Sequence, residues 1–172
     1  MPIQRLNHAV LYVRDVPVSA GFYRDVLGFR TVASIGDRAE FLQAAGSTND
    51  HDLGLFAVGA QAADSPAGQT SVGLYHLAWE VDTLAELHRI ADRLLEVGAL
   101  VGSSDHGTTK ALYAKDPNGI EFEVCWLVPA DLITDDLRSA PRTALDIDAV
   151  IARYGATTRG GVGVSTPALT GR

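Results

Sequence analysis

Two stretches of the chain echo each other. Leu6-Asn7-His8-Ala9-Val10-Leu11-Tyr12-Val13 and Leu74-Tyr75-His76-Leu77-Ala78-Trp79-Glu80-Val81 both read Leu-x-His, with Val five residues after the His. A repeat of this kind means that whatever the first copy folds into, the second folds into again. The segments downstream of the two copies repeat as well. Residues 19–27, after Pro17, carry Phe22, Tyr23, Val26 and Leu27 at helical spacing and stop at Gly28. Residues 83–97 carry Leu84, Leu87, Ile90, Leu94 and Leu95 along one side and stop at Gly98. Strand-like runs come next, at 29–35, 39–44 and 52–58 in the first copy and near 100–102, 110–114 and 120–127 in the second. The expected fold is α+β, two tandem βαβββ modules at about 5–58 and 74–128, joined by an aperiodic linker at 59–73. Residues 129–172 form an extension, with short helices expected at 131–137 and 146–154 and a Gly-, Thr- and Ser-rich, flexible tail from 155.

The second module ends in the most informative turn. Asp116-Pro117-Asn118-Gly119 is turn chemistry, since Pro117 presets φ and Gly119 supplies a positive one, so the flanking runs pair as a hairpin. On the returning strand Phe122, Val124 and Trp126 point one way, as a core face, and Glu121, Glu123 and Cys125 the other. A carboxylate in so apolar a strand is costly unless it is paired or holds a metal.

At 172 residues, 47% of them hydrophobic, the chain can bury a real core. Its net charge of −7 argues against a nucleic-acid footprint, which needs a basic face. The single Cys125 cannot form an internal disulfide, residues 1–5 lack a signal-peptide core, and no apolar run approaches the ~20 residues of a membrane span. A soluble cytoplasmic protein is expected, with no membrane partner.

If the modules pack about a pseudo-twofold axis, His8 and His76 approach a common point and Glu123 can join them. Two imidazoles and one carboxylate suit Fe(II) or another divalent metal with open positions. Either His alone reads more readily as a structural residue, but two such residues have no reason to fall at the same place in both copies. His88, mid-helix, reads as a surface residue, Cys125 as a small core residue, and Tyr75 and Trp79 as core packing by their parity.

The double module, the two Leu-x-His strands and the hairpin ending in Glu123 resemble the vicinal-oxygen-chelate superfamily over about residues 5–128. Glyoxalases, fosfomycin-resistance proteins, bleomycin-binding proteins and type I extradiol dioxygenases belong to it. His106, five residues, Leu112-Tyr113, two residues, Asp116-Pro117-Asn118-Gly119, three residues and Glu123 resemble the extradiol dioxygenase signature. Ser104 departs from it, standing where Gly, Asn, Thr, Ile or Val is usual. The resemblance implies a metal site in the concavity of the sheets, with His8, His76 and Glu123 as iron ligands. It implies Tyr113 as a hydrogen-bond donor to the substrate, His106 as pocket lining, and His51 as the acid/base. Strict alternation puts His51 on the wrong face if Gly54 faces the metal, unless a strand-entry bend turns it.

The implied activity is an Fe(II)-dependent extradiol ring-cleaving dioxygenase acting on a catechol with O2, with a homodimer as the expected assembly. The alternatives are a glyoxalase-like isomerase or lyase or a thiol transferase using Mn, Zn or Ni, and a metal-free binding protein. Glyoxalase-type isomerases carry a fourth ligand at about the position of Gly54, where this chain has no side chain and only Asp52 is near.

Overall fold

The computed structural model describes residues 2–3 and 5–167. The chain divides into two compact units, one of residues 1–66 with 116–120, the other of 67–115 with 121–172. The first holds β1 (Ala9–Val13), α1 (Val16–Leu27), β2 (Arg30–Ser34), β3 (Ala39–Gln43) and β4 (Leu53–Ala57). The second holds β5 (His76–Glu80), α2 (Leu84–Glu96), β6 (Leu100–Asp105), β7 (Thr109–Lys115) and β8 (Glu121–Leu127), then α3 (Asp135–Arg138) and α4 (Ile147–Tyr154). The sheets have the same topology, β1-β4-β3-β2 and β5-β8-β7-β6, with a parallel pair between first and last strands in each. The register also repeats: Val10 pairs with Gly54 where Ala78 pairs with Glu123. His8 and His76 each lie two residues before those pairs, so the two modules place them equivalently.

In the first unit Asp15 caps α1, its carboxylate accepting from Val18 N at 2.9 Å, and Gly28 ends the helix at φ 75°. The helix buries Val16, Ala20, Tyr23 and Val26 with Leu11, Val13, Leu42, Leu53 and Leu55 of the sheet. That leaves His8, Val10 and Tyr12 on the opposite, exposed side of β1, as alternation requires. The turn between β7 and β8 closes on itself, because Asp116 Oδ1 accepts from Asn118 N and Ile120 N, with Gly119 at φ 80°.

In the second unit Thr83 caps α2, whose Leu84, Leu87, Ile90 and Leu94 are buried. Leu95, expected on that stripe, is 63% exposed, because it lies a further 100° helical step past Leu94. Phe122, Val124 and Trp126 form the core face of β8, leaving Glu121 and Glu123 on the other side.

The extension is tied to this unit. Ala130–Leu132 form a 3-10 turn before α3, and Thr143 exchanges both backbone hydrogen bonds with Asp105, at 2.9 and 3.0 Å, prolonging the sheet beyond β6. Where a flexible tail was expected, residues 155–167 are held by Gly160 N to Asp82 O, Gly161 N to Leu127 O and Ser165 Oγ to Glu80 Oε1. Residues 168–172 lie outside the described residues. Gly161 sits at φ 70°, and a Cβ there would lie 2.1 Å from Glu80 Oε1. Gly161→Ala is therefore expected to cost about 1–2 kcal/mol and to loosen the tail. Faster tryptic cleavage after Arg159 would show it; an unchanged cleavage rate would contradict the close packing.

Among the described residues no helix is long and apolar enough to cross a membrane.

Candidate functional site

The face of the second sheet away from its helix gathers four of the residues singled out in the sequence. Register sets this, since Glu123 of β8 lies opposite Ala78 of β5 on one side and Tyr113 of β7 on the other, and alternation turns all of them to the same face. His76 Nε2 and Glu123 Oε2 stand 3.4 Å apart, both little exposed. His106 Nε2 and Tyr113 Oη are hydrogen-bonded at 3.0 Å. His76 and Tyr113 have ring centroids 6.0 Å apart, so the four side chains form one continuous group. Burial raises the Tyr113 pKa, and the Glu123 charge raises it further, against a smaller opposing pull from Arg142. The phenol is thus a protonated donor at neutral pH.

His106 is held by its loop. Asp105 Oδ1 accepts from Gly107 N at 2.7 Å and pairs with Lys110 Nζ at 2.5 Å, and that ammonium is 2% exposed. Lys110 also donates to Gly107 O at 2.8 Å and lies over the Tyr154 ring of α4. An ion pair with a buried ammonium on the core side thus sets the turn that presents His106 on the other side.

The first unit brings together the other two. His8 and His51 rings lie 4.4 Å apart, and His51 meets Phe41 edge-on at 5.2 Å. Phe41 pairs with Gly54, so His51 shares the face of His8 and Gly54. The bend at Asp52, just ahead of β4, achieves what strict alternation forbids. Asp52 is not on offer as a ligand from that position: it is buried and accepts from Ala44 N, Ser47 Oγ and Asn49 Nδ2. At Gly54 an added Cβ would meet Val10 at an ordinary 3.4 Å, and no side chain is there to bind anything.

Two residues escaped the sequence reading. Tyr75, expected in the core, is 73% exposed with its ring 4.7 Å from that of His76. It precedes β5, so strand parity does not govern it. Arg142 of the extension places its guanidinium 5.7 Å from the Tyr113 ring centroid and donates from Nε to Ser104 Oγ at 2.8 Å. Nothing in its local sequence marks it, because only the Thr143–Asp105 pairing carries it there. His88 lies on the surface near Asp92. Cys125 is buried, and desolvation with the neighbouring Glu123 and Glu80 charges pushes its thiol up to about 12, so it is a core residue.

Residues 5–124 match the model of the glyoxalase/bleomycin resistance protein/dioxygenase superfamily. The chain belongs to this superfamily. A catechol-2,3-dioxygenase of Bacillus subtilis is 29% identical over 154 residues, covering 87% of this chain, which spans 52% of that relative's length. A metallothiol transferase FosB of Lysinibacillus sphaericus is 27% identical over 127 residues, covering 72% of this chain and 82% of that one. The crystal structure of a domain of the same family from Frankia sp. EAN1pec superposes with a TM-score of 0.59 at 22% identity, covering 72% of this chain and 98% of that one, a likeness of fold. The superfamily match and the repeated module agree on the architecture. Residues 125–172, and Arg142 with them, lie beyond the segment that the superfamily model matches.

His76 and Glu123 fit a divalent metal as donors. An imidazole nitrogen and a carboxylate oxygen stand side by side on a sheltered face, and the buried Nδ1 of His76 makes no hydrogen bond to protein. A buried polar atom without a protein partner is found where something else completes the bonding. Among the described residues no three His, Cys, Asp or Glu side chains group as a metal cage. His8 belongs to the first unit and His76 with Glu123 to the second.

Proposed function

We propose that this chain is a metal-dependent extradiol ring-cleaving dioxygenase that opens a catechol with O2. His76 and Glu123 are its metal ligands, and Fe(II) is the metal, with Mn, Zn or Ni as alternatives. The observation that carries this reading is the array His76, Glu123, Tyr113 and His106 on one face, in which a protonated phenol hydrogen-bonded to an imidazole stands beside two ligand atoms. When bound, the metal would bring catechol and O2 together and let electrons pass between them.

The chain's own residues supply the rest. Tyr113 Oη donates to a substrate oxygen and so fixes the ring's orientation, while His106 holds the phenol. Tyr75, exposed beside His76, offers a flat wall for an aromatic ring.

The test is O2 uptake by anaerobically purified, Fe(II)-reconstituted protein against substituted catechols, with the coloured ring-opened product followed in parallel. Uptake matched to colour one-to-one supports the reading. No uptake with iron demonstrably bound moves the chain to the thiol-transferase reading, which gains from the 82% coverage of the metallothiol transferase against 52% of the catechol dioxygenase. The side-chain-free Gly54 speaks against the four-ligand isomerase reading. Tyr113→Phe is expected to keep its metal and lose about 100-fold in kcat. An unchanged kcat would return Tyr113 to a packing role.

A further inference from the structure

Arg142 has the geometry of a residue waiting for an anion. Its backbone is fixed, because the neighbouring Thr143 exchanges both hydrogen bonds with Asp105 at the edge of the sheet. Its side chain is aimed, because Nε donates to the hydroxyl of Ser104, which is itself 3% exposed on β6. Arg142 is exposed, and its two terminal amino groups make no hydrogen bond or ion pair among the described residues, so they are open to a ligand from solvent. A guanidinium anchored by Nε alone presents its remaining donors as a fork, the shape that receives a carboxylate through two parallel hydrogen bonds. It lies over the ring of Tyr113, on the face that carries His76 and Glu123.

We propose that Arg142 is a specificity-determining residue that receives a carboxylate substituent of the substrate, so that the protein prefers carboxylated catechols to neutral ones. This rests on the reading of Tyr113 as a substrate contact. Ser104, the position at which the sequence departs from the extradiol signature, takes part by holding the guanidinium in place. An arginine that merely covered Tyr113 would need no such anchor and would not discriminate between charged and neutral ligands.

Two measurements separate this proposal from the ring-cleavage reading. The first uses no turnover: calorimetric binding of phenylacetate and of the neutral benzyl alcohol to wild-type protein, Arg142→Gln and Arg142→Lys. Wild type should favour phenylacetate, and the glutamine variant should lose roughly 10- to 100-fold of that preference, as expected for charge-assisted hydrogen bonds. The lysine variant should recover part of it. The second is the kcat/KM ratio for 3,4-dihydroxyphenylacetate over 4-ethylcatechol, which should fall by a similar factor in Arg142→Gln. Equal preference in wild type and Arg142→Gln, in binding or in the ratio, overturns the assignment. Binding that depends on Arg142 without ring cleavage of either catechol would sustain the anion site and sink the dioxygenase reading.

Discussion

Glu123→Ala is expected to deprive the protein of its metal while leaving the fold intact, and His76→Ala to do the same. The two side chains face away from the helix, so neither contributes to the packing of Phe122, Val124 and Trp126 on which the second unit rests. Removing Glu123 also removes a sheltered charge rather than stranding one, since its neighbours are His76 and the protonated Tyr113. The loss in metal affinity should exceed the roughly 10- to 100-fold cost of removing a neighbour that only supports a ligand. Metal analysis beside a thermal melt reads both halves of this expectation. Stoichiometric metal in both variants would defeat their assignment as ligands, and loss of the cooperative melt would make them structural.

The opposite balance holds for Asp105→Ala, which should cost stability heavily. Lys110 Nζ is buried, and its ion pair with Asp105 is what compensates the ammonium. Stripping one partner from a wholly buried pair costs about 3–5 kcal/mol, against a median near zero for surface pairs, and with the Asp105 side chain 24% exposed the cost here is about 3 kcal/mol. For a chain of this size that is a fall in Tm of about 10 °C. Asp105 also accepts from Gly107 N, so the loop that presents His106 loses its brace as well. The variant should therefore show a weakened effect of Tyr113 on turnover in addition to the lower Tm. A shift of less than about 2 °C would mean that the ammonium is solvated in a way the burial does not suggest.

Much of this molecule is legible in its sequence because the same information is written twice. The Leu-x-His strands, the Gly-terminated helices and the Asp-Pro-Asn-Gly turn each specify local geometry by physical rules that need no tertiary context, and the repeated register follows from them. Parity along β8 was enough to separate Glu123 from its core-facing neighbours. What escaped depends on places where parity does not apply. Tyr75 stands before its strand begins, whereas His51 is named in the sequence together with the strand-entry bend that turns it, the bend at Asp52 before β4. Arg142 reaches Tyr113 only because a segment about forty residues downstream pairs with the end of β6, a contact with no local pattern to announce it. The tail beyond residue 155 has the composition of a disordered segment, yet its glycines allow the chain to approach Trp126 and Glu80 closely.

The most direct test of ring cleavage is the fate of isotopically labelled oxygen. Iron-loaded protein turning over a catechol under heavy O2 should yield a ring-opened product that carries both labelled atoms, read by mass spectrometry before its carbonyl oxygen exchanges with water. A product without label, or labelled O2 left unconsumed while the catechol disappears, would contradict extradiol cleavage by this chain.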